Sequence, residues 1–335
     1  MIYDHTCDIV LDNVFLRLPD LVPGSELLLK LEGLNPAGSI KLKAALGLIG
    51  SMEAANRIRP GSSIIESSSG NLGIALAVVS AARGYRLTIV TDPNASRESI
   101  RIIRSLGAQV VEVIQRDAQG GFLQTRIDYI HQRLVAQPEL VWLNQYANPA
   151  NVHAHRRHTA TSILSELGNI DVLFVGAGTT GTLMGCVEHF TQHSPRTRII
   201  AVDSAGSVTF GTLAAPRFVP GLGTSRRPEI YVDNGRFEKM LVHEAEAIVM
   251  CRKLAARYGL LAGGSTGTVL AAVERLAPTL PPGSRIVAIS PDQGDKYLNT
   301  VYSDEWVAER FPSLARRTAQ ADTTAPVAEM APLAS

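Results

Sequence analysis

The sequence predicts an α/β fold made of two blocks, each a mostly parallel sheet covered by helices on both faces. Short runs rich in Val, Ile and Leu alternate with longer amphipathic runs along most of the chain, the signature of strands buried between helices. A length of 335 residues suits about two domains. The Asn/Pro-rich stretch Asn144–Asn151 interrupts the alternation and marks where the blocks meet.

Each element follows from local signals. Leu27–Leu31 reads as a strand, and Leu42–Asn56 as a helix stopped by Pro60-Gly61. Ser63–Ile65 is a strand, Leu72–Arg83 a helix closed by Gly84, and Leu87–Val90 a strand. Ser96 is placed to cap a helix running to Leu106, closed by Gly107, and Gln109–Ile114 forms the next strand. A helix covers Gly121–Ala136. After the junction come a helix over His153–Leu167, the strand Val172–Val175, a helix from Thr182 and the strand Arg198–Val202. Then follow helices at Glu244–Tyr258 and after Ser265, and the strand Arg285–Ile289. Arg316 to Ser335 is rich in Ala, Thr and Pro with no apolar period, and is expected to be a disordered tail without a chemical role.

Composition narrows the class. Hydrophobic residues make up 45% of the chain, enough for a large core. The net charge of +1 leaves no electrostatic footprint for nucleic acid or an acidic membrane. Three cysteines, Cys7, Cys186 and Cys251, are widely spaced and give no disulfide framework, which suits a reducing cytoplasm. Cys186 and Cys251 fall in helical apolar patterns and read as packed thiols. The first residues carry Asp4, His5, Asp8 and Asp12, unlike a signal peptide. His153, His155 and His158 lack the spacing and nearby carboxylate of a helical zinc site and read as a polar helix face, so no metal is expected.

Ligands of parallel sheets sit beyond the carboxyl ends of strands, which directs attention to four loops. In Asn35-Pro36-Ala37-Gly38-Ser39-Ile40-Lys41 the turn residues place Lys41 in a first helical turn, with Ser39 as a candidate cap. The positive end of the helix dipole disfavours a further proton there, as a nucleophilic lysine needs. Taken alone, Lys41 is more simply a solvated lysine. In Glu66-Ser67-Ser68-Ser69-Gly70-Asn71-Leu72-Gly73 three hydroxyls and a glycine precede a helix, either as a carboxylate cradle or as a helix capped by Ser69. Gly176-Ala177-Gly178-Thr179-Thr180-Gly181-Thr182 matches a dinucleotide-type glycine pattern, with Asp203 at the end of the next strand. Its threonines suit a phosphate monoester better, and Asp203 has an ordinary alternative as a turn cap. Gly263-Gly264-Ser265-Thr266-Gly267 opens a helix, with Ser265 either an N-cap or a partner for a ring nitrogen.

Together these four loops, in this order, closely resemble the cysteine synthase group of fold-type II pyridoxal phosphate enzymes, a tryptophan synthase β-like fold. The resemblance runs over roughly residues 10 to 312. It includes Gln145-Tyr146-Ala147-Asn148-Pro149 and Asp295-Lys296-Tyr297-Leu298.

The resemblance implies pyridoxal 5′-phosphate as cofactor, with Lys41 as the Schiff-base lysine and general base. It implies Asn71 at the ring 3′-oxygen, and Gly178, Thr179, Thr180, Gly181 and Thr182 around the phosphate. Ser265 would face the ring nitrogen and, being neutral, leave it unprotonated. Ser68, Ser69, Asn71 and Gln145 would bind the substrate carboxylate. It implies a larger domain from residues 1–37 and 150–314, a smaller mobile one from 38–149, a tail from 315, and a homodimer in the cytoplasm.

Several positions depart from the usual pattern: Leu42 and Lys43 after the lysine, Leu72 in the serine-rich loop, and the segments Val219–Ile230 and Asp117–Arg126. They resemble a subgroup that joins O-phospho-L-serine to L-glutamate on the way to 2,3-diaminopropionate, a building block of siderophores and antibiotics. A phosphoserine substrate needs cationic contacts for its leaving group; Arg126 and Arg226 are the candidates, with Tyr146 closing the pocket. The readings left open are a cysteine synthase using sulfide and, remotely, a nicotinamide-dependent oxidoreductase built on the Gly176–Gly181 loop.

Overall fold

A computed structural model describes residues 2–117 and 120–316. The chain builds two sheets and returns to the first after completing the second. The larger has the order β1-β2-β10-β7-β8-β9. Its strands are β1 (Phe15–Arg17), β2 (Glu26–Leu31), β7 (Val172–Gly176), β8 (Arg198–Ser204), β9 (Glu238–Val242) and β10 (Arg285–Ser290). Only β1 runs antiparallel to its neighbour. The smaller sheet has the order β5-β4-β3-β6, from β3 (Ser63–Ser67), β4 (Arg86–Thr91), β5 (Gln109–Glu112) and β6 (Val141–Trp142), all parallel.

Helices cross between these strands. Those of the first half are α1 (Lys41–Ala54), α2 (Asn71–Arg83), α3 (Arg97–Ser105), α4 (Leu123–Ala136), α5 (Ala150–His155) and α6 (Thr161–Leu167). Those of the second are α7 (Gly181–His193), α8 (Glu244–Tyr258), α9 (Gly264–Leu276) and α10 (Asp304–Arg310). None is long and apolar enough to cross a membrane among the described residues. The expected alternation is therefore present. Ser96 caps α3 by accepting from the Ser99 backbone N–H, and Gly84 closes α2 in the left-handed region at φ 71°.

Sequence signals missed β1, β6, β9 and α10. β6 has only two residues, while β9 carries exposed Glu238 and Lys239 at a sheet edge, so neither shows an apolar run. The helix expected over His153–Leu167 is broken by a π-helical segment, Arg156–Ala160. It lies where α7 approaches closely: a Cβ on Gly185 would come within 2.6 Å of the Arg156 nitrogen. His155 is fully buried, not part of a polar face. Its Nδ1 lies 3.1 Å from Thr159 Oγ1, and burial followed by the charges of Lys41 and Lys43 pushes its pKa well below 6.5. Residues 312–316 add a helical turn, so the tail boundary expected at 315 falls inside it. Residues 317–335 lie outside the described residues.

Behind α1 lies a buried charge cluster. Lys43, 2% exposed, donates to Glu32 Oε2 at 2.6 Å and Thr159 Oγ1 at 3.3 Å, and pairs with Asp12. Lys30 Nζ sits 3.5 Å from the other Glu32 oxygen. Burial raises the Asp12 carboxyl, but His158 and Lys43 outweigh it and hold it at about 2. Removing Lys43 leaves two carboxylates facing one buried lysine, with His158 the other cation beside Asp12. Lys43→Ala is expected to lower the unfolding free energy by about 3–5 kcal/mol, read by urea denaturation. A loss below about 1 kcal/mol would show that the cluster behaves like a solvated pair.

Candidate active site

Three of the four loops leave the carboxyl ends of parallel strands β2, β3 and β7, and the fourth follows α8 and opens α9. The segment after β10 laces two of them together. Pro291 O accepts from Ile40 N at 2.7 Å, and Ser39 pairs with Asp292 as an isolated antiparallel bridge. On the other side Asp292 O accepts from Gly263 N at 3.2 Å, and Gly294 N donates to Leu261 O at 3.0 Å. The Lys41 turn and the start of α9 are thus held on either side of one extended segment.

Lys41 opens α1 as its first residue, half-buried, with Nζ 3.4 Å from Thr179 Oγ1. Burial pushes its amine down to about 8, with Asp292 partly offsetting that by favouring the charged form. The helix carries no side-chain cap, and the Ser39 hydroxyl is buried without a hydrogen-bond partner. Ser39 is turned by its pairing with Asp292, so the expected cap does not form.

In the serine-rich loop Gly70, not Ser69, occupies the N-cap position of α2. The Ser68 hydroxyl does the bridging, accepting from Gly73 N at 3.0 Å and Gly70 N at 3.3 Å. Ser69 is exposed at the loop tip. Asn71 faces the segment after β10: its Nδ2 donates to Asp292 Oδ2 at 2.7 Å, and its Oδ1 accepts from Lys296 Nζ at 2.5 Å. Gln145 is buried, with Nε2 donating to Ser67 O at 2.9 Å.

The loop after β7 is the most constrained. Thr180 adopts φ 68°, a left-handed conformation that is costly for a β-branched residue. Its hydroxyl is buried with no hydrogen-bond partner. A Cβ on Gly181 would overlap the Asn151 amide. Thr179 Oγ1 accepts from Asn151 Nδ2 at 3.2 Å, and Asn151 Nδ2 also donates to Gln145 O at 2.9 Å. Gly178 and Thr182 are half-buried on either side. Asp203 is fully buried and caps its own turn, accepting from Ser204 N at 2.8 Å; burial pushes its carboxyl up to about 6. A buried turn cap is not placed to grip a ribose, and the dinucleotide reading loses its acid.

Ser265 sits in the first turn of α9, 2% exposed; the N-cap is Gly263. A Cβ on Gly221 would come within 3.2 Å of the Ser265 hydroxyl, so the Val219–Thr224 stretch covers it closely.

Three residues gather at the far side. Burial pushes Tyr146 up, and the charges of Arg126 and Arg226 oppose this while those of Glu66 and Asp92 add to it, so all four lie within electrostatic reach of its hydroxyl. Arg126 is 7% exposed with Nε 3.3 Å from Asp92 Oδ2, while Arg226 pairs with Glu229 at the surface. Sequence reasoning missed Glu66, Asn151 and Asp292. Glu66 accepts from Ser67 N at 2.7 Å, Trp142 Nε1 at 3.1 Å and Gln145 N at 3.2 Å, and burial raises it to about 7. Its signal was available: an acid directly after the apolar pair Ile64-Ile65, near the end of a strand.

Residues 12–292 match the family described as pyridoxal-phosphate dependent enzyme. The chain is 41% identical over 318 residues to N-(2-amino-2-carboxyethyl)-L-glutamate synthase of Ralstonia nicotianae, covering 94% of each chain. It is 41% identical over 288 residues to the enzyme of that name from Cupriavidus metallidurans, covering 85% of this chain and 84% of the relative. Among solved structures it resembles O-ureido-L-serine synthase (TM-score 0.84, 30% identity), with 92% of this chain and all of that one covered. It also resembles an O-acetylserine dependent cystathionine beta-synthase from Helicobacter pylori (TM-score 0.83, 30% identity), with 90% of this chain and all of that one covered.

The residues present fit that cofactor. A phosphate monoester suits the unpartnered Thr180 hydroxyl and the N–H groups that open α7, and an aldehyde suits an amine of depressed pKa.

Two outcomes follow from these positions. Thr180→Gly removes a strained conformation and an unpartnered hydroxyl, so the apoprotein should melt no lower than wild type while pyridoxal phosphate binds at least about tenfold more weakly, equivalent to about 1.4 kcal/mol; calorimetry and cofactor titration read both. The Lys41 amine is protonated below about pH 8 and free above it. Covalent capture of the cofactor aldehyde by apoprotein should therefore rise through about pH 8, well before an ordinary lysine at 10.5, and Lys41→Ala should abolish it.

Proposed function

Because the chain belongs to the pyridoxal-phosphate dependent enzyme family, we propose that its β-replacement reaction joins O-phospho-L-serine to L-glutamate, giving N-(2-amino-2-carboxyethyl)-L-glutamate and phosphate. The observation that carries this is the pair of relatives of that name at 41% identity, the first matched over 94% of the chain.

Bound pyridoxal phosphate supplies an electron sink that acidifies the substrate Cα–H and permits loss of a β substituent. The chain supplies the rest. Thr179 to Thr182 and the N-terminus of α7 grip the cofactor phosphate, with Gly178 allowing close approach. Lys41 Nζ holds the cofactor, takes the substrate Cα proton once released, and later returns it to the same carbon. An amine with a pKa near 8 is matched to both directions of that transfer. Asn71 gives one amide hydrogen to Asp292 and makes only a long contact of 3.5 Å to the Tyr297 hydroxyl with its Nδ2, so the second hydrogen can turn to the ring oxygen. The substrate carboxylate meets Ser69 and the N–H groups of the serine-rich loop, whose shape Ser68 and Gln145 maintain.

The Tyr146 corner suits the leaving phosphate and the carboxylates of the incoming glutamate. Arg126 is held by Asp92 and offers one remaining edge, whereas Arg226, half-exposed on a loop, can turn inward. Residues 1–37 and 150–314 are assigned to a larger domain and 38–149 to a smaller one that closes over substrate. This division agrees with β3 to β6 forming their own sheet. The enzyme would work in the cytoplasm as a homodimer, supplying a precursor of 2,3-diaminopropionate for siderophore or antibiotic synthesis. Three free, buried cysteines suit that compartment.

Mass spectrometry of the products from O-phospho-L-serine with L-glutamate or with sulfide tests the reading. The adduct of serine carbon skeleton and glutamate is expected; efficient turnover with sulfide alone would identify a cysteine synthase instead. Arg226→Ala should lower kcat/KM for phosphoserine by about 10-fold or more and spare acetylserine; equal losses on both would remove Arg226 from phosphate recognition.

A further inference from the structure

A second lysine reaches the site from the far end of the chain. Lys296 leaves the short helical turn Asp295–Tyr297, and its side chain is 7% exposed. Its Nζ donates to Asn71 Oδ1 at 2.5 Å and to Gly38 O at 3.4 Å, and stands 3.8 Å from Asp292 Oδ2. Gly38 turns the chain toward Lys41 at φ 63°, and a Cβ there would sit 3.9 Å from the ammonium. Asn71 opens α2, after a strand of the smaller sheet, whereas the Lys41 turn follows β2 of the larger one. One side chain therefore ties together loops that leave different sheets.

These contacts decide which way the Asn71 amide points. The oxygen and the NH2 of an amide have nearly the same shape, and only their partners tell them apart. An ammonium has only hydrogens to give, and a carboxylate only lone pairs. Oδ1 therefore faces Lys296, and Nδ2 faces Asp292 Oδ2 at 2.7 Å. The reversed amide would set NH2 against the ammonium and oxygen against the carboxylate, losing two charge-assisted hydrogen bonds. Lys296 makes the one hydrogen bond that Oδ1 accepts among the described residues. Its charge draws density toward Oδ1 and makes the amide N–H groups stronger donors.

The separation of the two loops matters as much as the orientation. The aldehyde and the phenolic oxygen of pyridoxal sit on neighbouring ring carbons. The amine that takes the first and the amide that faces the second must therefore be held at a fixed spacing. Lys296 bonds the turn that delivers the amine and the side chain that carries the amide.

We propose that Lys296 is a positioning residue for the cofactor: it fixes the Asn71 amide with a hydrogen toward the ring oxygen and sets its spacing from the Lys41 turn. This rests on Asn71 facing that oxygen, as proposed above. Lys296 acts through Asn71, not on the substrate.

A double-mutant cycle on cofactor affinity tests this. The apoproteins of wild type, Lys296→Met, Asn71→Ala and the double variant are titrated with pyridoxal phosphate, and the visible band of the bound cofactor is recorded. Asn71→Ala should bind about fivefold more weakly or worse, and Lys296→Met about threefold or worse. The double variant should bind within about twofold of Asn71→Ala alone. The visible band should move in the same direction in both single variants, because each weakens the donor at the ring oxygen. Lys296→Gln, uncharged and shorter, takes the place of Lys296→Met if that variant does not fold. Unchanged affinity in the Lys296 variant overturns the proposal, and so do losses that multiply in the double variant. A Lys296 variant that loses affinity with its band unmoved, while Asn71→Ala moves the band, reduces Lys296 to a structural role and also overturns it. If Asn71→Ala binds as tightly as wild type with an unmoved band, Asn71 does not face the ring oxygen and the proposal falls with that placement.

Discussion

The structure depends on one short extended segment, Pro291–Gly294. It leaves the end of β10, at the middle of the larger sheet, and hydrogen-bonds the lysine turn on one side and the lead into α9 on the other. Backbone hydrogen bonds fix position far better than flexible side chains. The Lys41 turn and the lead into Ser265, drawn from distant parts of the chain, are therefore registered to a common rail by backbone, and Asn71 joins it through its side chain. Without it the three loops would each be a helix start with local caps and no shared geometry.

Burial then sets the chemistry. Lys41, Glu66 and Asp203 are all displaced toward neutrality, to about 8, 7 and 6, and desolvation is the leading cause in each. The uses differ with the partners. Glu66 spends its oxygens on backbone and indole donors and ties β3 to the Gln145 segment. Asp203 closes a turn. Lys41 has only a weak contact to Thr179 and stays available. The cluster of Lys30, Glu32 and Lys43 behind α1 shows the contrast: there charges are buried but paired, and they tie α1 to the end of β2 rather than react.

Much of this was legible in the chain. Strand and helix alternation follows from apolar periodicity, which the parallel sheets preserve because both faces are covered. The loop order carried the cofactor, since hydroxyl- and glycine-rich turns at helix starts are local signals. Local capping rules failed where tertiary contacts competed. Ser39 lost its cap to a pairing with Asp292, and Ser69 ceded the bridging of its loop to Ser68. His155 looked like part of a polar face because its neighbours His153 and His158 are exposed, but the π-helical segment after it meets α7 and buries it.

By itself the sequence determined the alternating architecture and placed Lys41 and the hydroxyl-rich loops at helix starts, because turn chemistry and helix starts act over a few residues. Only the tertiary structure decided that Thr180 is strained with a free hydroxyl, that Asn151 joins the junction to the phosphate loop, and that Asp292 stands behind both Asn71 and Ser265. Those contacts span up to 221 positions of sequence. No local pattern encodes such pairings; they arise when two sheets fold against a shared segment and bury polar groups that must then find partners.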